Sequence, residues 1–325
     1  MMRSILTTIC VLSLALQAGC QASAPPLSWT GARRIATLPG YDYARLPALS
    51  PDGGQLAILG AMRFDDPTGL VMFRNMTSDA WIPIHVKDGK YPEYPVTYLS
   101  WDSTSTRLLF GDGITPVIYD LTTNVVEPLN PGSERYQAIW GPGDNQFTKY
   151  ILKPEKQDPD QGKRVEILNL TDNSEEYLFA LDWGVPSSLQ GIDWSPDGQQ
   201  LLFSLRGTDT ESSSYHDILV FDRQTGTSKV LVNSSLDETD PHWSPNGQWF
   251  VYLAYQWGAS DSELVISSLD GTCVIREPAR ALLLHVDWGP ADQLAVVYAN
   301  ALFLVDMREA FGFGLDDLAS HCGTP

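Results

Sequence analysis

A tight-turn motif recurs six times along the chain and constrains the fold more than any other feature. Its clearest copy is Trp194-Ser195-Pro196-Asp197-Gly198, and the apolar run Leu201-Leu202-Phe203 comes soon after it. Proline fixes φ for the second position of a type I turn, aspartate or asparagine tolerates the next position, and glycine takes the left-handed conformation that closes a hairpin. Each copy therefore predicts a strand, a tight turn and a second strand.

The copies are spaced as repeated structural units. We call the hydrophobic residue that opens each copy its anchor, and the six anchors are Leu49, Trp101, Trp140, Trp194, Trp243 and Trp288. Successive anchors are 52, 39, 54, 49 and 45 residues apart, and each interval holds about four strands with their turns. The apolar runs behind the turns are continuous, which is typical of strands buried on both faces. These patterns predict an all-β fold, a six-bladed β-propeller over residues 33–309.

The two ends of the chain predict how the ring closes. The sixth unit lacks a fourth strand after Leu302–Asp306, because residues 310–325 are broken by glycine and weakly patterned. Arg34–Leu38 resembles an outer strand of the other units. We therefore expect an N-terminal strand to complete the last blade and remove an exposed edge. The alternative is an independent strand on the surface, and residues 310–325 are expected to form a loose tail.

The repeats resemble those of a known family. Leu49-Ser50-Pro51-Asp52-Gly53, Trp194–Gly198 and Trp243–Gly247, each followed by an apolar strand, are similar to the propeller repeats of the TolB family of bacterial envelope proteins and of related lipoproteins. The resemblance covers residues 33 to 307 and implies a propeller that binds other envelope proteins. TolB proteins carry an α/β domain before the propeller, whereas here only a short segment separates Cys20 from Leu49, so we expect a relative distinct from TolB itself.

The first 19 residues read as an export signal. Met1-Met2-Arg3 gives a positively charged start, and the apolar stretch from Ile5 to Leu16 is too short to span a bilayer as a helix. Gln17-Ala18-Gly19-Cys20 looks like a bacterial lipobox, which would make Cys20 a lipid anchor and residues 20–32 a tether. The alternative is cleavage near Ala22-Ser23-Ala24. Either reading predicts a protein exported to the bacterial cell envelope.

The remaining cysteines predict a cross-link. Cys10 lies in the signal segment and Cys20 is the lipid candidate, which leaves Cys273 and Cys322. An even pair in an exported protein suggests a disulfide, which here would join the fifth unit to the C-terminal segment. The alternative is two unpaired thiols too far apart to bond.

Charge and missing motifs exclude several classes of function. The chain has 21 Lys and Arg against 40 Asp and Glu, a formal net charge of −19, which disfavours nucleic acid and anionic lipid head groups. It contains no Gly-x-Ser-x-Gly elbow, phosphate-binding glycine loop, Cys-x-x-Cys or His-Glu-x-x-His. We therefore assign no catalytic residue, cofactor or metal ligand, and expect a monomer that touches the membrane only through its anchor.

One set of polar residues is a candidate binding site. The residue before each anchor lies on the innermost strand of its unit, and in the last three units these residues are Asp193, His242 and Asp287. Asp240 and His285 lie further up the same strands. If neighbouring blades bring these groups to one channel mouth, they could bind a basic side chain or a divalent cation. The alternative is that they only accept hydrogen bonds from backbone within the blades.

Two functions of different classes follow from the sequence. The first is a non-enzymatic, envelope-anchored module that binds a protein or peptide through its loops and channel mouth. The second is an enzyme, or a sugar- or cation-binding protein, that uses a funnel site. The first predicts an apolar or mixed patch of loops and no converging titratable groups, and the second predicts a deep funnel with several of them.

Overall fold

The computed structural model describes residues 29–35, 43–61, 70–78, 80–84, 96–111, 116–129, 135–143, 145–153, 164–180, 189–206, 215–298 and 301–322. The signal segment 1–19 and the lipid candidate Cys20 lie outside these residues, so both remain predictions. Among the residues that it describes, no helix is long and apolar enough to cross a bilayer.

Six four-stranded antiparallel sheets follow one another along the chain and form the predicted β-propeller. Blade 1 consists of Tyr43–Leu49 (β2), Gln55–Ala61 (β3), Leu70–Asn75 (β4) and Ile82–Pro83 (β5). Blade 2 consists of Tyr98–Trp101 (β6), Arg107–Gly111 (β7), Val117–Asp120 (β8) and Val125–Pro128 (β9). Blade 3 consists of Arg135–Trp140 (β10), Gln146–Lys153 (β11), Arg164–Asn169 (β12) and Glu175–Ala180 (β13). Blade 4 consists of Leu189–Trp194 (β14), Gln200–Arg206 (β15), His216–Asp222 (β16) and Thr227–Val232 (β17). Blade 5 consists of Asp237–Trp243 (β18), Trp249–Tyr255 (β19), Glu263–Ser268 (β20) and Val274–Pro278 (β21). Blade 6 consists of Leu283–Trp288 (β22), Gln293–Tyr298 (β23), Ala301–Asp306 (β24) and Ala32–Arg34 (β1).

The N-terminal strand completes the last blade, as predicted. In β1, Ala32 pairs with Val305 and Arg34 with Phe303 of β24, and the N–H of Ile35 continues the ladder by donating to the carbonyl of Leu302 at 2.9 Å. The strand begins two residues before the predicted Arg34, and residues 36–38 lie outside the described part of the chain. The first strand thus occupies what would otherwise be a free edge.

The hydrophobic core is divided into six clusters, one at each junction between neighbouring blades. Successive residues of a strand point to opposite faces of its sheet, so Leu201 and Phe203 pack toward blade 3 while Leu202 packs toward blade 5. This explains why the apolar runs are continuous. All six anchors are buried at these junctions.

The six turns lie at one end of the ring, which we call the turn face, because each follows an inner strand of the same direction. The opposite end, where the inner strands begin, is the loop face. On the turn face, the proline of one turn packs on the glycine of the next: Pro142 meets Gly198, Pro196 meets Gly247 and Pro290 meets Gly53.

The C-terminal segment departs from the loose tail that the sequence leads us to expect. It forms two helices, Met307–Phe311 (α1) and Leu318–His321 (α2), with a 3-10 turn between them. Asp306 caps α1 by accepting the N–H groups of Arg308 and Glu309, and Gly312 ends it in the left-handed conformation, with φ of 82°. Both helices belong to the cluster between blades 5 and 6.

The predicted disulfide between Cys273 and Cys322 is present and fixes this segment to blade 5, with 5.5 Å between the two Cα atoms. Trp29, just before β1, packs edge-on against Phe311 of α1, with ring centroids 5.1 Å apart. The two ends of the described chain therefore meet at the outer side of the same blades.

Candidate functional site

The inner strands of all six blades line a central channel with a cavity of about 360 Å³. Its wall is uneven. The acidic and histidine side chains that line it, Asp240, His242 and His285, come from blades 5 and 6. Blades 1 to 4 contribute mainly apolar side chains, with Thr97 and Gln137 among the exceptions. A ligand in the channel therefore meets charge on one side only.

Five side chains form what we call the channel cluster: Asp193, Asp240, His242, His285 and Asp287. His242 lies at its centre, with Nδ1 3.3 Å from Asp287 Oδ1 and 3.8 Å from Asp193 Oδ2, and Nε2 3.8 Å from Asp240 Oδ1. His285 Nδ1 lies 3.7 Å from Asp240 Oδ2. The structure thus brings together the three residues that the sequence singled out and the two further up the same strands.

The position before an anchor also joins the blades. Asp193 Oδ2 accepts the N–H of the next anchor, Trp243, at 2.7 Å, and Asp287 Oδ2 accepts that of Leu49 at 2.6 Å. Ser100 Oγ accepts the N–H of Trp140 at 3.2 Å in the same way. These carboxylates therefore accept backbone N–H groups, but from the next blade rather than from within their own, and they also face His242.

A β-bulge directs Asp240 into the cluster. The register of blade 5 shifts between Thr239 and His242, and Asp240 has a φ of +56°, a conformation that aspartate tolerates better than most residues. Its Oδ2 accepts the N–H of Val286 at 2.7 Å. Blade 4 has Gly191 at the equivalent position, where an added Cβ would lie 2.6 Å from Cδ of Pro241. The close approach of the two bulges therefore requires glycine at 191.

The electrostatics of the cluster make His242 a cation. Burial alone would lower its pKa, but the ion pair with Asp240 and the charges of Asp287 and Asp193 raise it to about 10. For Asp240, burial opposes ionisation, but the ion pairs with His242 and His285 hold the pKa well below its ordinary value. The imidazolium at the centre therefore has an ionised partner in Asp240.

The charge of His242 does not fully offset the burial of the other two carboxylates, Asp193 and Asp287. Burial raises the pKa of Asp193 to about 6, although the charge of His242 and the N–H of Trp243 oppose the rise. Burial also raises the pKa of Asp287, again against the charge of His242. The side chains of Asp193 and Asp287 are 32% and 15% exposed, next to His242, which lines the channel. An added cation would stabilise the ionised form of both groups.

Within the described ranges, no group of three or more His, Cys, Asp and Glu residues is arranged to hold a metal ion. In the channel cluster the histidine nitrogens face carboxylate oxygens at 3.3 to 3.8 Å, which is the spacing of ion pairs rather than of a shared metal. The arrangement suits a ligand that brings its own positive charge.

A second polar group, which sequence reasoning missed, lies at the loop-face end of β18. The carboxylate of Asp237 is buried; its Oδ1 lies 2.7 Å from His216 Nδ1 and accepts the His216 backbone N–H at 2.7 Å. Its Oδ2 accepts the indole N–H of Trp257 at 3.0 Å. Burial opposes ionisation of Asp237, but the bonds from His216 lower its pKa below the ordinary value. The residues are far apart in sequence, so only the blade 4–5 junction brings them together.

Comparison with known proteins supports the fold. No family model matches the chain, and no curated protein matches it. Among solved structures, TolB from Acinetobacter baumannii is 21% identical with a TM-score of 0.55, over 74% of this chain and 55% of that one. The putative TolB from Agrobacterium tumefaciens is 15% identical with a TM-score of 0.56, over 77% and 88%. An oligogalacturonate lyase in complex with manganese is 13% identical with a TM-score of 0.56, over 88% and 83%.

The chain is a six-bladed β-propeller with a TolB-like fold. It spans little more than half the length of the Acinetobacter protein. At these identities the likeness describes the fold alone, since one propeller fold serves both binding proteins and enzymes.

Proposed function

We propose that this protein is an exported, envelope-anchored interaction module that captures a basic group of a partner polypeptide in its channel, without catalysing a reaction. The observation that carries the proposal is the convergence of Asp193, Asp240 and Asp287 on His242 at one side of the channel. Their surplus negative charge favours a lysine or arginine side chain, or an amino terminus. The chain as a whole, at −19, attracts the same kind of partner.

Export and anchoring rest on the sequence of residues 1–20, and the disulfide supports export because such bonds persist in oxidising compartments. Detergent partitioning of the wild type and of Cys20→Ala tests the anchor. We expect the wild type in the detergent phase and the variant in the aqueous phase. The same partitioning for both proteins would remove the anchor from the proposal.

The binding itself is tested with an alanine-based peptide that carries one central lysine, against the same peptide with glutamine, by calorimetry at pH 7.5. We expect the lysine peptide to bind and Asp240→Asn to weaken it by about tenfold, roughly the loss of one charged contact. Asparagine still accepts the N–H of Val286, so the bulge is kept.

Asp172→Asn is the matched control, because Asp172 is an exposed turn residue whose Oδ1 accepts the N–H of Ser174 at 2.9 Å. It removes the same charge from the molecule but not from the channel, and should leave affinity unchanged. Equal binding of the lysine and glutamine peptides would contradict the proposal.

The affinity should also depend on pH. Because burial raises the pKa of Asp193 to about 6, this carboxylate is ionised at pH 7.5 and largely protonated at pH 5, and a cation prefers the ionised form. We therefore expect the lysine peptide to bind more tightly as pH rises through 6. Asp193→Asn should flatten this dependence; a wild type with equal affinity at both pH values would contradict it.

A funnel-site enzyme or cation-binding protein is the second candidate. It is favoured by the convergence of the channel cluster, which the sequence analysis expects of a funnel site, and by an Asp193 whose pKa of about 6 suits proton transfer. Manganese titration followed by elemental analysis separates the two. Stoichiometric metal that Asp240→Asn abolishes would favour the second candidate.

A further inference from the structure

Trp257 is the most exposed large hydrophobic residue that the structure describes, at 63%. The other exposed large hydrophobics lie on the outermost strands of their blades: Ile82, Val125, Tyr177, Val230 and Val274. Trp257 instead lies between β19 and β20, at the loop face and next to the first residue of an inner strand. Its location therefore differs in kind from the outer rim of the ring.

The ring of Trp257 is held in place although it faces solvent. Its indole N–H donates to the buried Asp237 at 3.0 Å, and Asp237 is in turn bonded by His216. The loop turns tightly, with the N–H of Ala259 donating to the carbonyl of Gln256 at 2.9 Å and Gly258 at a φ of +80°. A fixed aromatic face loses little conformational entropy when a ligand covers it.

The chemistry of this face favours a cation. Among aromatic side chains, the indole binds a cation over its face most strongly. A hydrogen bond from the indole N–H to a carboxylate shifts electron density toward the ring and makes that face more negative. Asp237 thus strengthens the attraction without itself meeting the ligand.

The distance to the channel cluster suits one extended segment. Asp237 and Asp240 are three residues apart on β18, so at most about 10 Å of strand separates them, and the bulge at Thr239–His242 shortens that span. A bound peptide in an extended conformation has the same rise, so basic side chains three or four positions apart reach Asp240 and Trp257 together.

We propose that Trp257 is a second cation subsite, so that the preferred partner is an extended peptide segment with two basic residues three or four positions apart. The inference rests on the proposed function, since the first basic residue occupies the channel cluster. The second residue is expected to be arginine, because its planar guanidinium stacks on an aromatic face.

Two alanine-based peptides test the subsite: one with a single lysine, and one with the same lysine and an arginine four positions away. Calorimetry should show the second binding about three- to fivefold more tightly, the gain of one exposed cation–π contact. Trp257→Ala should remove that gain and leave the affinity for the lysine peptide unchanged. Trp257→Phe, which keeps a ring but loses the bond to Asp237, should retain part of the gain.

Tyr177→Ala is the matched control, because Tyr177 is an aromatic residue of similar exposure, 58%, on the outer strand of blade 3. It should leave both affinities unchanged. Equal affinity of the wild type for the two peptides, or a gain that persists in Trp257→Ala, would overturn the subsite while leaving the channel site intact.

A direct readout separates failure of the subsite from failure of the proposed function. The indole N–H signal of Trp257, assigned by its loss in Trp257→Phe, should shift on titration with N-acetylarginine amide. It should not shift with the neutral isostere N-acetylcitrulline amide. If neither peptide binds but arginine alone shifts this signal, the channel proposal fails and the cation subsite stands; no shift overturns the subsite.

Discussion

At the scale of single residues, the position before an anchor both joins neighbouring blades and places charge beside the channel. The residue before an anchor accepts the N–H of the next anchor in three blades, through Ser100, Asp193 and Asp287. In blade 5 this position holds His242, whose ring nitrogens face three carboxylates instead. The imidazolium therefore partly offsets the charge that its neighbours bring into the channel.

Glu238 is a buried acid outside the channel cluster. It is 1% exposed, and Ser234 donates its hydroxyl hydrogen to Oε1. Burial raises the pKa of Glu238 to about 7, the charge of Asp217 adds to the rise, and the bond from Ser234 and the charge of Arg276 oppose it. The phenol of Tyr252 lies in the same electrostatic environment.

Glu238 predicts a pH-dependent stability. Because its folded pKa is higher than its unfolded pKa, the stabilisation is fully present below pH 4.5 and is lost as pH rises through about 7. The difference between 4.5 and about 7 corresponds to roughly 3 kcal/mol. Glu238→Gln should therefore unfold at higher denaturant concentration than the wild type at pH 8, by up to that free energy.

At pH 4 the advantage of Glu238→Gln should disappear, because the wild-type carboxyl is then protonated. Urea unfolding at the two pH values measures the difference. A variant that is less stable than the wild type at pH 8 would mean that the ionised form has a partner strong enough to outweigh burial.

At the scale of elements, the turn motif joins blades as well as strands. Proline stiffens the turn and its ring packs on the glycine of the next turn, as Pro142 does on Gly198 and Pro290 on Gly53. The motif thus repeats because each copy meets the next one around the ring. An outer-hairpin glycine such as Gly226 has the same left-handed backbone but no atom within 4 Å of an added Cβ.

This contrast predicts different costs for the same substitution. Gly226→Ala should lower the free energy of unfolding by about 1–2 kcal/mol, the cost of a Cβ in the left-handed conformation. Gly198→Ala, with φ of +68° against +67° for Gly226, should cost about 1–3 kcal/mol more, because its Cβ would overlap Pro142. Equal destabilisation, measured by urea unfolding, would show that the turns do not brace each other.

The elements that could be predicted from the sequence are those with local chemical signals. The turn motif fixes strand ends through proline and glycine, and counting from the anchors aligned Asp193, His242 and Asp287 on neighbouring inner strands. The C-terminal helices also had such signals, in the cap Asp306 and the terminating Gly312, but the short run between them has too few residues for helical periodicity to be read.

The remaining features depend on contacts between blades, which have no local signal. The bulge that turns Asp240 inward forms where Gly191 of blade 4 allows a close approach. Nothing near Trp257 in sequence reveals that it is exposed or that its partner is Asp237. Those side chains meet only when the ring is assembled.

At the scale of the whole molecule, two separate connections hold the ends of the chain. The strand β1 pairs with β24, and the disulfide holds α2 against blade 5. The first closes the ring, whereas the second fixes helices that cover the junction of blades 5 and 6. Their loss should therefore have different effects.

Replacing both cysteines, as Cys273→Ala/Cys322→Ala, should lower the free energy of unfolding by about 2–4 kcal/mol while the far-ultraviolet circular dichroism keeps its β-sheet form. Hydrogen exchange should quicken in Met307–His321 and remain unchanged in β24. Reduction of the wild type should reproduce both effects. Unaltered stability of the variant would mean that packing of Phe313, Leu315 and Leu318 suffices to hold the segment.

The pairing of the first strand with the last also sets an order of events during synthesis. Blades 1 to 5 are each built from contiguous residues, so each has all its strands once its own stretch has left the ribosome. Blade 6 needs Ala32–Arg34 and residues up to Asp306. The strand β1, which is made early, therefore cannot pair with β24 until almost the whole chain has been synthesised. A product cut short before β24 would carry five complete blades and two uncovered sheet faces, and would be the form most exposed to proteases and to aggregation.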